Sequence, residues 1–147
     1  DFCLSRGLGD VYKRQLSGLT LLSALDLRIN QISDTSPLSG LTFLAFLDLT
    51  GNQISDVSPL SGLTDLQGLD LSGNQISDVS ALSELTNLID LTLRDNQIED
   101  ITPLVDNEGL SQGDKVDLRG NPLSAESLNT LIPQLQARGV QVLYDFT

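Results

Sequence analysis

The chain has 147 residues, and its 8 lysines and arginines stand against 20 aspartates and glutamates, for a formal net charge of −12. It contains no histidine and one cysteine, Cys3, which excludes a histidine-based catalytic triad and a cysteine-bound structural zinc. The acidic balance disfavours binding to nucleic-acid phosphates and to anionic lipid. No apolar run approaches the length of a membrane-spanning helix. The length suits one domain.

The first residues fit none of the patterns found in the rest of the chain. Residues 5–15, SRGLGDVYKRQ, resemble the translation of a transposon adaptor used to prepare sequencing libraries, and every residue agrees with it. We interpret residues 1–15 as a non-natural leader and leave them out of fold reasoning; the other interpretation is a natural basic tail. Residues 16–19 resume in the middle of a repeat, so we expect the natural protein to be longer and its N-terminal cap to be missing.

A repeat begins directly after this leader. Asparagines recur at a constant interval, at Asn30, Asn52, Asn74 and Asn96, and the same apolar grid surrounds each one. In the second copy the grid is Leu41, Leu44, Leu47, Leu49, Ile54, Val57 and Leu60. A fixed period of this length predicts a solenoid, in which each unit buries its apolar face against its neighbours.

Each unit has a short strand followed by an asparagine. In Leu47-Asp48-Leu49 the alternation places two leucines on one face and an aspartate on the other, which is typical of a strand. The asparagine amide both donates and accepts, so it can satisfy backbone groups buried where the chain turns inward. We therefore predict a structural asparagine ladder made of Asn30, Asn52, Asn74, Asn96 and Asn121.

On the return side of the coil most units carry a hydroxyl residue before a proline, and Ser80-Ala81 in the fourth unit relaxes this pattern. Ser58-Pro59 and Thr102-Pro103 predict an N-cap and a first helical position, and therefore a short helical turn on the convex side. An aspartate precedes each of these turns, at Asp34, Asp56, Asp78 and Asp100. We expect these aspartates to bond to the backbone of the turn. The alternative is a carboxylate row that holds a cation, but the spacing of a calcium loop is missing.

The pattern changes toward the C-terminus. An insert at residues 105–109 lengthens the fifth unit, as is common in terminal repeats. Ser124 then resembles an N-cap before apolar residues at helical spacing, and Pro133 is expected to kink or divide this helix. Gly139 is expected to end it. Residues 140–144 predict a last strand of the same sheet, in which Val140 lies beside Val116 and Val142 lies beside Leu118.

The motif L-x-x-L-x-L-x-x-N-x-I is the signature of leucine-rich repeats, and residues 16–123 resemble that family. The 22-residue length and the tail I-S-D-x-S-P-L-S-G-L are similar to bacterial internalin repeats and to phosphatase-regulator repeats. The resemblance implies an α/β solenoid with a parallel concave sheet, short convex helical turns and a C-terminal helix-strand cap. It divides the chain into the leader (1–15), about five repeats (16–123) and the cap (124–147), and it favours a secreted or cell-surface location.

In such a fold the outward strand residues form a concave face, which is the candidate protein-binding site. Its predicted residues are Asp26, Arg28, Phe46, Asp48, Thr50, Asp70, Ser72, Asp90, Thr92, Arg94, Asp117 and Arg119, with Ala24, Gly68 and Lys115 completing the strands. Like charges on adjacent strands repel. The recurring aspartates are therefore either a tolerated consensus or a feature selected for a partner. Phe46 is a candidate anchor, unless it packs on neighbouring strands.

These features predict a non-catalytic protein-protein interaction module of a larger bacterial protein. No catalytic residue, metal site or cofactor is predicted, because no constellation of reactive side chains stands out from the repeat. The expected partner is a protein with a basic surface, without nucleic acid and without membrane insertion. The alternative function is a structural spacer or stalk that has no ligand of its own; a uniform polar face would favour it.

Overall fold

In a computed structural model of the chain, residues 19–145 are described in full, together with the backbone of residues 2–3. Within these residues, seven short strands form one parallel sheet in chain order. They are β1 (Phe2–Cys3), β2 (Ala24–Asp26), β3 (Phe46–Asp48), β4 (Gly68–Asp70), β5 (Asp90–Thr92), β6 (Lys115–Asp117) and β7 (Gln141–Leu143). The chain is therefore an α/β solenoid with a parallel concave sheet, as predicted. No helix of the described part is long and apolar enough to cross a membrane.

The constant repeat length sets the pairing of the central strands. Leu47 pairs with Leu25 on one side and with Leu69 on the other, so equivalent leucines stack at adjacent levels. The second residue of each of the strands β2 to β5 points inward and is buried, while its neighbours lie outward. The grid leucines, isoleucines and valines form one continuous core, and most of them are fully buried. The repeat thus removes from water the apolar face that one unit alone would expose.

The asparagine amides connect successive units. Asn74 Oδ1 accepts the backbone N–H of Ile54, 3.0 Å away in the preceding unit. Its Nδ2 donates to the carbonyls of Leu49 and Leu71, both at 3.0 Å. Asn52 and Asn96 make the equivalent bonds, and Asn121 repeats the pattern at the last level. Each amide therefore serves backbone groups of two units at once.

The convex side carries short helical turns, but their caps differ from the prediction. The turns are 3-10 helices at Ser36–Leu38, Ser58–Leu60 and Ser80–Glu84, and an α-helix, α1, at Thr102–Asp106. The predicted hydroxyl caps are wrong, since Ser58 and its equivalents already lie inside the turns. The residue that precedes each of these four turns makes no side-chain cap bond.

The aspartates two positions before Ser58 and its equivalents do the capping. Asp56 Oδ1 accepts the N–H of Ser58 at 2.8 Å, and Asp34, Asp78 and Asp100 do the same for their own turns. The pKa of Asp56 lies below its usual value, because the Ser58 side chain and, to a smaller extent, the Ser58 backbone N–H donate hydrogen bonds to the charged carboxylate. The aspartates therefore form turn caps, as expected.

The insert in the fifth unit is anchored to the preceding unit through one buried asparagine. Asn107 is completely buried and donates to the carbonyls of Leu82 and Leu85 in the preceding unit. Gly109 passes so close to that unit that a methyl group on it would stand 1.9 Å from the Thr86 carbonyl oxygen. The insert is thus a second tie between the fourth and fifth units.

The C-terminal helix contains the irregularity that its proline predicts. Ser124 Oγ accepts the N–H of Ser127 at 3.1 Å, which is the bond of an N-cap. Residues Ser127–Leu131 are π-helical, with the N–H of Ile132 bonded to the carbonyl of Ser127, and α2 follows at Ile132–Ala137. Pro133 has no N–H to donate, and the widened turn before it accommodates the loss. Gly139 ends the helix with φ = +89°.

The last strand extends the sheet in a different register from the predicted one. Val142, not Val140, pairs with Val116, so the predicted alignment of β7 on β6 is wrong by two positions. Val140 is buried, with its N–H bonded to the carbonyl of Leu135 near the end of α2. The helical cap therefore uses more of the chain than predicted before the last strand enters the sheet.

The suspected leader lies almost wholly outside the described residues, and residues 5–15 are not described at all. Phe2–Cys3 nevertheless forms strand β1, which pairs in parallel with Leu25–Asp26. This pairing is unexpected for a segment that carries no repeat position. The division into residues 1–15, 16–123 and 124–147 stays a prediction.

Candidate functional site

The concave side of the solenoid brings the predicted face residues onto one surface. The registers of β2 to β6 align them in columns that cross the strands, and the central column is Asp26, Asp48, Asp70, Thr92 and Asp117. Adjacent members stand about 4.8 Å apart along the sheet. A groove of about 540 Å³ runs over β2 to β5 and is lined by Asp26, Phe46, Asp48, Asp70, Asp90 and Thr92 among others.

The carboxylates of the central column have an internal role at the end of each strand. Asp70 Oδ1 accepts the backbone N–H of Ser72 at 2.9 Å and its hydroxyl at 2.6 Å. Asp48 holds Thr50 in the same way. Each aspartate therefore fixes the residue two positions on, where the chain leaves the sheet. This use supports the interpretation of the column as a consensus feature of the scaffold.

Arginines neutralise both ends of the column. Arg28 lies 2.7 Å from the Asp26 carboxylate and 3.4 Å from that of Asp48. The hydrogen bonds from the Arg28 side chain and backbone lower the pKa of Asp26. Asp70 is the column carboxylate with no cation within 4.0 Å in residues 19–145.

The structure corrects the prediction that Asp117 is available on this face. The residue is 3% exposed and its carboxylate is clamped by the guanidinium of Arg119. Burial by itself would raise the pKa of Asp117, but the hydrogen bonds from Arg119 outweigh it and the pKa is lowered. Asp117 therefore stabilises the fifth unit and offers little to a partner.

Charge is distributed unevenly between the two sides of the solenoid. The concave columns of five units hold four cations and five carboxylates, for a net charge of −1. The cations are Arg28, Arg94, Lys115 and Arg119, and the carboxylates are Asp26, Asp48, Asp70, Asp90 and Asp117. The remainder of residues 16–147 holds Arg138 against 13 carboxylates. Most of the acidity of the chain thus lies outside the concave columns, whose summed charge is nearly neutral.

Phe46 is the exposed large apolar side chain among the residues that line the groove. Its ring lies on Gly68 of the next strand, where an added methyl group would stand 2.7 Å from Phe46 Cδ1. The side chain still exposes 55% of its surface. The ring therefore packs on the neighbouring strand and stays half exposed, because Gly68 has no side chain and leaves space for it.

The last strand adds face residues that the sequence analysis missed. Gln141 pairs with Lys115 and Leu143 pairs with Asp117, so both continue the outward columns. The alternation of polar and apolar residues in Gln141-Val142-Leu143 is the signal that could have placed Gln141 and Leu143 on the outward face. The predicted register misses it, because it pairs Val140 and not Val142 with Val116.

In residues 19–145 no three or more aspartates, glutamates or cysteines approach each other as metal ligands would. The groove presents an aromatic ring, four carboxylates and a hydroxyl on the parallel sheet.

The family model for leucine-rich repeats, which describes two copies of the repeat, matches residues 20–62 and again residues 64–106. Together these matches cover more than half of the chain. No curated protein gives a significant match. Among solved structures, internalin C2 from Listeria monocytogenes is 37% identical, with a TM-score of 0.75 over 88% of this chain and 54% of its own. Internalin F from the same organism is 31% identical, with a TM-score of 0.63 over 88% and 45%.

A leucine-rich-repeat protein of Leptospira interrogans is 24% identical, with a TM-score of 0.68 over 87% of this chain and 38% of its own, and shows the same fold. The chain spans about half the length of the internalins that it matches. The family model, the parallel sheet with its asparagine ladder and these neighbours agree. The chain belongs to the leucine-rich-repeat family, and its repeats are of the bacterial internalin-like kind.

Proposed function

We propose that this chain is a non-catalytic protein-binding module whose concave face, centred on Phe46, contacts the partner. The observation that carries the proposal is the exposure of 55% of an aromatic side chain in a groove of about 540 Å³ on a rigid sheet. Aromatic side chains at the centre of an interface commonly supply much of its binding energy. The leucine-rich-repeat architecture supports an interaction role, since it builds an extended concave surface.

The partner is a protein that presents cationic groups to the centre of the groove. The supporting feature is local, because Asp48, Asp70 and Asp90 surround Phe46 while the arginines lie toward the ends of the column. The acidic outer surface adds long-range attraction for a basic protein, which salt screens over about 8–10 Å. Association is therefore expected to weaken as ionic strength rises.

The chain offers a matched control for Phe46. Phe43 is 58% exposed, close to the 55% of Phe46, but it lies in the turn before β3 and not on the concave columns. With a partner isolated by affinity capture and then purified, Phe46→Ala should weaken binding about tenfold or more, mainly by faster dissociation. Phe43→Ala should change it little. Equal losses for the two variants, or no loss for Phe46→Ala, would contradict concave binding.

The charge contribution has a control of the same kind. The pair Asp48→Asn with Asp70→Asn removes two charges from the groove and keeps the oxygen that holds the following turn. The pair Asp65→Asn with Glu84→Gln removes two charges from exposed positions outside it. The groove pair should lose more affinity than the outer pair.

A spacer without a ligand is the second candidate function. The saturation of Asp26, Asp48 and Asp117 by neighbouring arginines favours it, because these carboxylates are already paired within the chain. A spacer would give no saturable binding to any purified partner, and the Phe46 variant would behave as the parent chain does.

A further inference from the structure

The centre of the concave groove combines an aromatic ring with a carboxylate that has no counter-charge among residues 19–145. Phe46 pairs with Gly68 and lies over it, and Asp70 follows Gly68 by two positions on the same outward face. Residues two apart on a strand are separated by about 6.6–6.8 Å. The ring and the carboxylate are thus close enough to contact one planar group between them.

The hydrogen bonds leave one oxygen of Asp70 available. Ser72 donates twice to Oδ1, and no described residue donates to Oδ2 or brings a cation within 4.0 Å of it. The neighbouring carboxylates differ, because Asp48 already has Arg28 at 3.4 Å and Asp90 has the Lys115 ammonium at 3.8 Å. The negative charge that lacks a counter-charge therefore lies beside Phe46.

We propose that Phe46 and Asp70 together receive an arginine side chain of the partner protein. This inference rests on the proposed concave binding and names the chemical group that the groove takes. The guanidinium stacks on the exposed face of the Phe46 ring and donates to Oδ2 of Asp70, the oxygen that Ser72 leaves available.

Arginine fits the site better than lysine. A guanidinium is planar, so one group meets the ring with its face and the carboxylate with its edge. An ammonium is a strongly hydrated point charge and cannot match both surfaces at once. Arg28 and Lys115 are already paired with carboxylates at the sides of the groove, so they leave the centre to an incoming cation.

The test uses small probes and the whole chain. The backbone amide signals of Gly68 and Asp70 are followed by NMR during titration with N-acetyl-arginine N-methylamide, and in parallel with the lysine and citrulline analogues. Citrulline keeps the shape of arginine and lacks its charge. The arginine probe should bind about ten times more tightly than citrulline, and lysine should lie between them.

Two substitutions in the groove test whether the arginine probe binds there. Phe46→Leu and Asp70→Asn should each weaken the arginine probe severalfold, whereas Phe43→Leu should leave it unchanged. Equal titrations by the three probes, or shifts that map elsewhere on the chain, would overturn the arginine site. If the arginine probe fails but Phe46→Ala still weakens the purified partner, the concave-face function stands and the arginine assignment falls.

Discussion

The asparagine ladder predicts a large difference between two neighbouring substitutions. Asn74→Ala removes a buried amide, and Ser72→Ala removes a half-exposed hydroxyl two positions earlier. The Asn74 amide accepts from the N–H of Ile54, a fully buried residue, and it donates to the Leu49 and Leu71 carbonyls. Ser72 Oγ donates only to Asp70, which keeps its bond to the Ser72 backbone.

The expected loss of stability depends on which backbone groups are left without any hydrogen-bond partner when the amide is removed. The Leu49 carbonyl also accepts from Asn52, and the Leu71 carbonyl also accepts from Asn96, so both stay bonded in Asn74→Ala. The N–H of Ile54 is left buried without its acceptor, which costs about 1–3 kcal/mol. With the lost amide bonds, we expect Asn74→Ala to lower the free energy of unfolding by about 2–4 kcal/mol. Ser72→Ala should cost less than about 0.5 kcal/mol.

The assay is equilibrium unfolding in urea, followed by circular dichroism, for the parent chain and both variants. The midpoint should fall strongly for Asn74→Ala and stay near the parent for Ser72→Ala, with similar slopes. Equal midpoints for the two variants would show that water or a backbone shift satisfies the Ile54 N–H, and the ladder would lose its assigned role.

Three further changes test the fold. Gly109→Ala should destabilise the chain by about 2 kcal/mol or more, because its methyl group would meet the Thr86 carbonyl oxygen at 1.9 Å. The measurement is thermal unfolding, and the control is Gly62→Ala, whose methyl group would meet nothing within 4 Å. Ile29→Gly should raise the free energy of unfolding by about 0.5 kcal/mol, since Ile29 has φ = +54° and a β-branched residue is strained there; a lower value would show that its side-chain contacts outweigh the strain. Deletion of residues 1–15 should leave the melting temperature nearly unchanged, and a large fall would make β1 an integral strand.

The periodic part of the fold could be read from the residues alone. Leucines at fixed spacing determine which faces are buried, and one asparagine in each unit determines where that unit turns, because these requirements are local and identical in every copy. The concave positions of Phe46 and Asp70 follow from the same alternation. The aspartates before the convex turns could also be assigned correctly, since their bonds reach only two positions along the chain.

The departures from the period depended on contacts between distant residues. The register of β7 was decided by the length of chain that the π-helical turn and α2 consume, and no local pattern encodes that length. The repeat pattern does not reveal that Asp117 is buried, since the equivalent Asp26, Asp48 and Asp70 are half-buried, and the packing of the Phe46 ring required a glycine on the next strand. The sequence by itself determined the repeat, the core and which strand residues lie on the outer face of the sheet. The tertiary structure alone decided the ion pairs that cross between units, Arg28 with Asp48 and Lys115 with Asp90, because those side chains meet only when the coils stack.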